Sequence, residues 1–341
     1  MKKEKIIIFK NDAIGDLIHS REAIHNISVS NPNKQIVLFL AINSKNFNFL
    51  FNYKNIIIKT IRNNLTIFEK FFLIIYIFKN SINEIFILTP KNFFFFLPII
   101  FKKIKFYAIC VNDLNNYKRP SDYLRKNLYK IVINDRSAIY KRPSIENLQN
   151  KLIGDYYVKK YELNFSYVKK NDLIYQKDYI YFHLKQRRFE RLKWGINELE
   201  KILNYFLKFN NKVIITRDIE VDQRSFQIKD KFNYYDFKTD KFINNNSNII
   251  LLDNIEGADL YNVIRNASKI IAFHGMITSF AWIEKKKVLD LYDVEINNWD
   301  DYRKYRNSFY EFKPSYNNYD FIIPKKDINK TLNKMNFFFN K

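Results

Sequence analysis

Glycine and cysteine are both scarce in this chain, which has five Gly and one Cys in 341 residues. The lone Cys110 excludes an internal disulfide framework and a multi-cysteine metal site, which fits a reducing compartment. No full glycine-rich phosphate fingerprint is present, so each Gly beside a strand end carries more weight than usual. Long hydrophobic runs are missing too. The two strongest, Phe71 to Phe78 (FFLIIYIF) and Phe93 to Phe101 (FFFFLPIIF), fall well short of the roughly 20 residues that span a bilayer, so no transmembrane helix is expected. A secretory leader is not apparent either: the short basic start runs straight into a strand-like segment with no small-residue cleavage site, and the mature chain is expected to begin at Met1.

Acidic residues are outnumbered, with Asp+Glu 35 against Lys+Arg 58 and a formal charge of +23. Anionic partners follow from that balance: nucleic acid, an acidic membrane surface or phosphorylated small molecules. The 47% hydrophobic content over 341 residues is enough for about two domains, each with its own core. Asn, Lys, Ile and Phe are abundant and Ala is sparse, the pattern of AT-rich coding. A Lys or Phe therefore says less than usual, and a Gly or His says more.

Apolar runs alternate with amphipathic stretches along the first half. Strands are predicted at Lys5–Phe9, Gln35–Leu40, Glu84–Leu88 and Ile104–Cys110, with helices near Asp16–Ile27 and Leu65–Phe78. This β-α-β-α order predicts a parallel sheet wrapped by helices. From about Asn112 to Asp172 the chain is polar, Tyr-rich and weakly periodic apart from short stretches such as LYKIVI (Leu128–Ile133), so the domain boundary is placed at its end: residues 1–172, then 173–341. The alternation restarts with YIYFHL (Tyr179–Leu184), a helix Asn197–Leu207 and KVIIT (Lys212–Thr216). NIILL (Asn248–Leu252), a helix Ala258–Asn266, KIIAF (Lys269–Phe273), a helix from about Met276 and KVLDLY (Lys287–Tyr292) complete it. The expected fold class is α/β, with two Rossmann-like β/α/β domains in tandem. Ligands of such sheets bind beyond the carboxyl ends of the strands, which singles out the loops after Phe9, Leu184, Thr216 and Phe273.

Three stretches at those ends could carry chemistry. In KNDAIGDLIHS (Lys10–Ser20), Asn11 and Gly15 form a loop through which the backbone can approach a ligand closely, and Asp16 falls near the first turn of a helix. Asp16 either stabilises that helix start or acts as a general base toward a substrate hydroxyl. In HLKQRRFERLKWGINELEKIL, Lys185, Arg187, Arg188, Arg191 and Lys193 lie between a strand and a helix. This reads either as a solvated basic loop or as a phosphate-binding one, with Trp194 a buried anchor for the helix that follows. In IIAFHGMITSFAWIEKKKVLDLY, His274 and Gly275 stand where a strand gives way to a helix. Helix-start amides there would attract a phosphate, Thr278 could add a hydroxyl, and His274 could equally be a hydrogen-bonded structural histidine.

Taken together, the three stretches resemble glycosyltransferase family 9, the lipopolysaccharide heptosyltransferase family, whose members have the two-Rossmann GT-B fold. AIGDLIHSREAI is similar to that family's amino-terminal Gly-Asp motif, and RLKWGINELEKI to its Arg/Lys-x-Trp-x-x-x-x-Phe/Leu segment. The stretch DLYNVIRNASKIIAFHGMITSFAWIEKKKVLDLY follows its closing pattern of helix, strand, Asp-Thr-Gly-x-x-His-x-Ala and strand. The resemblance implies two domains facing across a cleft, with the last helix able to pack back on the first. It also implies an inverting, metal-independent transfer of a sugar from a nucleotide-diphosphate sugar, as substrate with no cofactor, to a glycan or glycolipid acceptor of lipopolysaccharide type.

By the same resemblance, Asp16 matches the acid proposed as catalytic base, and Lys193, beside Arg191, a basic residue on the donor phosphates. In the third motif the chain departs from the family. His274 stands for Asp, Gly275 for Thr, Met276 for Gly and Ser279 for His, while Thr278 and Ala281 stay in register. His-Gly at such a junction also occurs in other GT-B enzymes, so a phosphate role can survive while sugar recognition changes. Glu220 or Asp222, after the strand ending at Thr216, is expected to meet the donor's ribose. No Asp-x-Asp metal signature stands in the expected cleft loops.

Basic charge and the Phe-rich runs of the first half are expected either to place a cytoplasmic protein on the anionic inner face of the membrane, or to be ordinary core helices. Two other readings stay open. One is a basic nucleic-acid-binding protein, although no recognisable nucleic-acid motif is present, the charge is diffuse and no specific nucleic acid is expected. The other is a GT-B-like scaffold that binds without catalysis.

Overall fold

The computed structural model describes residues 4–112, 118–136, 143–158, 177–218, 231–292 and 317–340. Of these, 4–158 belong to one compact unit, and 177–292 with 317–340 to a second. The expected boundary at residue 172 lies outside the described residues.

The first unit is a parallel sheet of near-continuous apolar runs, as strands buried on both faces require. Its strands are β1 (Lys5–Lys10), β2 (Gln35–Ala41), β3 (Ile56–Ile61), β4 (Ile82–Ile87), β5 (Lys105–Asn112), β6 (Lys118–Arg119) and β7 (Lys130–Asp135). They lie in the order β3-β2-β1-β4-β5, with β7 parallel to β5 and β6 a short antiparallel addition. The helices are α1 (Ile14–His19), α2 (Arg21–Ser30), α3 (Ile67–Lys79), α4 (Asn92–Ile100), α5 (Asp122–Arg125) and α6 (Ile145–Ile153).

Three features differ from the sequence reading. The helix expected from Asp16 to Ile27 is two helices, because at Ser20 the hydroxyl donates back to the Asp16 carbonyl (3.1 Å) and the amide closes a tighter turn on Leu17 (3.0 Å). Arg21 then fixes the break, giving Nη1 to both the Ile18 carbonyl (2.8 Å) and Glu146 (2.6 Å). Strand β3, not among the predicted strands, follows the kinked 3₁₀ segment Ile42–Phe51 rather than a periodic helix. The polar middle stretch supplies β7, over the LYKIVI run, and also a helix that its weak periodicity did not predict, α6, whose Leu148, Leu152 and Ile153 are buried.

The second unit has strands β8 (Ile180–Leu184), β9 (Val213–Arg217), β10 (Asn233–Asp236), β11 (Lys241–Ile243), β12 (Ile249–Asp253), β13 (Lys269–Phe273), β14 (Lys287–Leu291) and β15 (Tyr319–Ile322). Their order is β11-β10-β12-β9-β8-β13-β14-β15, parallel except between β10 and β11. Around them pack α7 (Gln186–Leu192), α8 (Ile196–Phe206), α9 (Gly257–Asn266), α10 (Met276–Ile283) and α11 (Ile328–Asn340). The last helix, expected to return to the first domain, buries Met335, Phe338 and Phe339 in the second unit's own core. Its apolar face finds Phe209 there, stacked on Phe339 with centroids 4.3 Å apart. Among the described residues no helix is long and apolar enough to cross a membrane.

In both units the strand order reverses at the first strand, between β1 and β4 and between β8 and β13. The loops at the carboxyl ends of those strands flank the crevice where doubly wound sheets hold ligands.

Candidate active site

In the second unit that crevice is bridged. Lys185, directly after β8, reaches across to the loop after β13 and donates from Nζ to the His274 carbonyl at 2.9 Å. The next residue, Gly275, has φ +146°, a conformation that side chains rarely adopt, and a Cβ there would lie 2.6 Å from Lys185 Nζ. The backbone conformation demands glycine at this point, and a methyl group there would displace the ammonium at the end of the flexible Lys185 side chain. Gly275 is the N-cap of α10, and its amide donates to Thr278 Oγ1 (3.2 Å) while that hydroxyl donates to the Gly275 carbonyl (2.7 Å). The Thr278 hydroxyl, 2% exposed, therefore serves the helix start. The amides of Met276 and Ile277 are the first-turn donors that no preceding helical carbonyl can reach.

His274 is held from below. Nδ1 lies 2.6 Å from Oδ2 of Asp290, which is fully buried and also accepts from the Tyr319 hydroxyl at 2.7 Å. The carboxylate accepts, so the imidazole carries a proton on Nδ1, and Nε2 is the ring nitrogen left for a ligand. The His274 ring packs against Tyr292 with centroids 4.4 Å apart. It is thus both hydrogen-bonded structurally and presented at the crevice, so the two sequence readings of His274 are compatible. Asp290, on the far side of the next strand, went unread because nothing in its spacing links it to His274.

A second polar chain runs beneath Lys185. His183 is enclosed within β8, with Nε2 3.1 Å from Asp218 and Nδ1 2.8 Å from Thr216 Oγ1, which in turn lies 2.5 Å from the Tyr181 hydroxyl. The acceptor at its end assigns the direction: Tyr181 donates to Thr216, Thr216 to His183, and His183 to Asp218. Burial pushes the His183 imidazole below the usual histidine range, only partly offset by Asp218. Burial raises the Asp218 carboxyl, but the His183 hydrogen bond and the Lys185 and Arg187 charges together hold it below the usual carboxylate range. Beside it, Arg217 forms a two-pronged pair with Asp253, Nε to Oδ1 at 2.8 Å and Nη2 to Oδ2 at 2.5 Å.

The basic stretch expected as a loop is instead α7. Arg191 lies in its last turn, and exposed Lys193 caps it in the left-handed region (φ 57°, ψ 33°). Seven helical residues span about 10 Å, so these two cations stand roughly that far along the chain from Lys185, the cation nearest the junction. Trp194 is buried, donating from Nε1 to the Lys326 carbonyl at 2.9 Å and meeting Phe189 edge-on at 5.3 Å. Glu220 and Asp222 lie outside the described residues.

In the first unit, Asp12, Ala13 and Ile14 after β1, Ala41 at the end of β2 with Ile42 and Asn43 beyond it, and Arg62 and Asn63 after β3 line a pocket of about 420 Å³. Asn11 is fully buried and ties this rim together, donating from Nδ2 to the Arg62 carbonyl at 2.9 Å. Its Oδ1, and Oδ1 of Asp12, are buried without a hydrogen-bond partner. Lys10, itself 2% exposed, pairs with Asp12 at 2.7 Å, and Lys91 donates to Asn63. Gly15 and Asp16 sit in the first turn of α1 behind the N-cap Ala13, with Asp16 half-buried. The expected Gly15 loop is thus helical.

No family model and no curated protein sequence matches the chain. Solved structures do, at the level of the fold. A glycosyl transferase family 9 structure from Veillonella parvula matches with a TM-score of 0.64 and 8% identity, over 99% of this chain and 98% of that one. The Escherichia coli heptosyltransferase WaaC with ADP matches at 0.60 and 9%, over 98% and 99%. A Listeria monocytogenes protein assigned as a UDP-N-acetylglucosamine 2-epimerase matches at 0.58 and 10%, over 100% and 89%. These likenesses place the chain in the GT-B class of two-domain α/β folds. At such identities the fold alone is shared, and the chemistry has to be argued from the sites.

Proposed function

We propose that this chain is an inverting, metal-independent glycosyltransferase that moves a sugar from a nucleotide-diphosphate donor to a glycan or lipopolysaccharide-type glycolipid acceptor. The Lys185–His274–Gly275 junction carries the reading. An ammonium, a histidine fixed by a buried carboxylate, and first-turn helix amides converge at the switch point of a Rossmann-like sheet, where a diphosphate is at home. WaaC, of the same fold, is described with ADP, which supports a nucleotide-diphosphate donor here.

In this proposal the second unit holds the donor. Lys185 and His274 meet the phosphates, Arg191 and Lys193 add positive charge, and negative charge that develops on the departing diphosphate is stabilised by cations and amides rather than by a metal. The first unit holds the acceptor in the pocket lined by Asp12, Ala13, Arg62 and Asn63, whose rim the buried Asn11 holds together. Asp16 takes the proton of the attacking hydroxyl as it displaces the nucleotide from the anomeric carbon. The expected setting is the cytoplasmic face of an inner membrane.

Replacing Asp16 with Asn should leave folding and donor binding intact and lower transfer by about 10²- to 10⁴-fold; near-normal turnover would remove Asp16 from the role. The epimerase-assigned neighbour gives a second reading, in which the donor is transformed without an acceptor. Conversion of the nucleotide sugar in the absence of acceptor distinguishes the two. Binding without any turnover would leave a non-catalytic scaffold.

A further inference from the structure

Six large apolar side chains of α3 face solvent: Ile67, Phe68, Phe71, Phe72, Ile75 and Phe78 are between 47% and 86% exposed. They sweep one side of the helix, while Leu73 and Ile77 on the opposite side enter the core. Phe96 and Ile100 of the neighbouring α4 are 50% and 55% exposed. Both helices cover the same side of the first sheet, and Lys70 of α3 lies 5.9 Å from the ring of Phe93 of α4. Soluble monomers rarely leave so many large apolar side chains of one helix face to water.

The exposure is built in. Thr66 and Glu69 form a capping box that fixes the start of α3, so the helix and its outward apolar face do not wait for a partner. Thirteen residues make a helix about 20 Å long, too short for a hydrocarbon core of about 30 Å but suited to lying in its interface.

Charge selects the occupant. Residues 67–79 and 92–103 carry Lys70, Lys79, Lys102 and Lys103 against one acid, Glu69, and that acid is engaged in the cap. A second copy would bring like charge to like in a chain of formal charge +23. An anionic bilayer brings the opposite charge, and lysine stems beside phenylalanine rings suit its interface.

We propose that the α3–α4 face docks on an anionic lipid bilayer, inserting its phenylalanines while the lysines meet the headgroups. Arg62 and Asn63 of the first-unit pocket precede α3 by a few residues, and Lys91 caps α4. On the glycosyltransferase reading, which this last step rests on, the pocket rim then lies beside the surface that holds a lipid-linked acceptor. The docking itself does not depend on that reading.

The test is flotation of the full chain with vesicles of phosphatidylcholine alone and with phosphatidylglycerol added. The expected result is binding to the anionic vesicles only, weakened by salt, and lowered at least about tenfold in Phe68→Ser/Phe71→Ser/Phe78→Ser. Those positions are exposed, so the variant should keep its circular dichroism and melting temperature. Equal binding of the variant, absence of any anionic-lipid preference, or a wild-type dimer that the variant dissociates would each overturn the proposal. Donor-induced thermal shifts on the same preparations keep the two readings apart: vesicle binding without a donor shift overturns only the enzymatic reading, and the converse overturns only the docking.

Discussion

Lys193 holds a left-handed backbone (φ 57°) that helix ends usually give to glycine. A lysine there costs about 1 kcal/mol, so Lys193→Gly should leave stability unchanged or raise it by up to about 1 kcal/mol while weakening the nucleotide-sugar complex. Urea melts and donor titration check both halves; unchanged donor affinity would reduce Lys193 to a helix cap. His183 makes a second prediction. Its folded pKa lies below its unfolded one, so below pH about 6.5 the unfolded chain takes up a proton that the native chain refuses. Stability must then fall with pH by as much as about 1.4 kcal/mol per unit. His183→Asn should flatten that slope between about pH 6.5 and 5, above the range where Asp218 titrates, and an unchanged slope would place the acid sensitivity elsewhere.

At the level of elements, the helix Ile328–Asn340 belongs to the second unit through Phe339, which stacks on Phe209 and meets Tyr205 edge-on at 5.7 Å. Phe339→Ala should cost about 3–5 kcal/mol, read as a lower urea midpoint for the second unit with the first unit's transition unmoved. An effect confined to the first unit would contradict the assignment. Most strands were legible because parallel strands are written as unbroken apolar runs. The break at Ser20 was not, since it depends on a hydroxyl back-bond and on Arg21 reaching Glu146, far along the chain. The outward face of α3 was also hidden: IFEKFFLIIYIFK is apolar almost all round, so periodicity could not say which side meets water.

Across the molecule, strand order reverses once in each unit, and the candidate residues stand at the carboxyl ends of the strands beside each reversal. The His274–Gly275 junction was legible as a strand-to-helix change with a rare glycine. Its supports, Lys185 from another strand loop and Asp290 from the next strand, became visible only when the sheet brought them together. On the proposed function this junction binds a nucleotide sugar. Thermal shift of the wild-type chain and Gly275→Ala with ADP-, GDP-, UDP- and CMP-sugars, with an oligonucleotide in parallel, checks such binding. At a hundredfold excess over Kd a true ligand stabilises by about 2.7 kcal/mol, which is several degrees for a domain of this size. A nucleotide-sugar site at this junction gives such a shift for one nucleotide class in the wild type and loses it in Gly275→Ala, whose added methyl group displaces Lys185. A shift with the oligonucleotide and with none of the sugars, or an undiminished shift in Gly275→Ala, would contradict it.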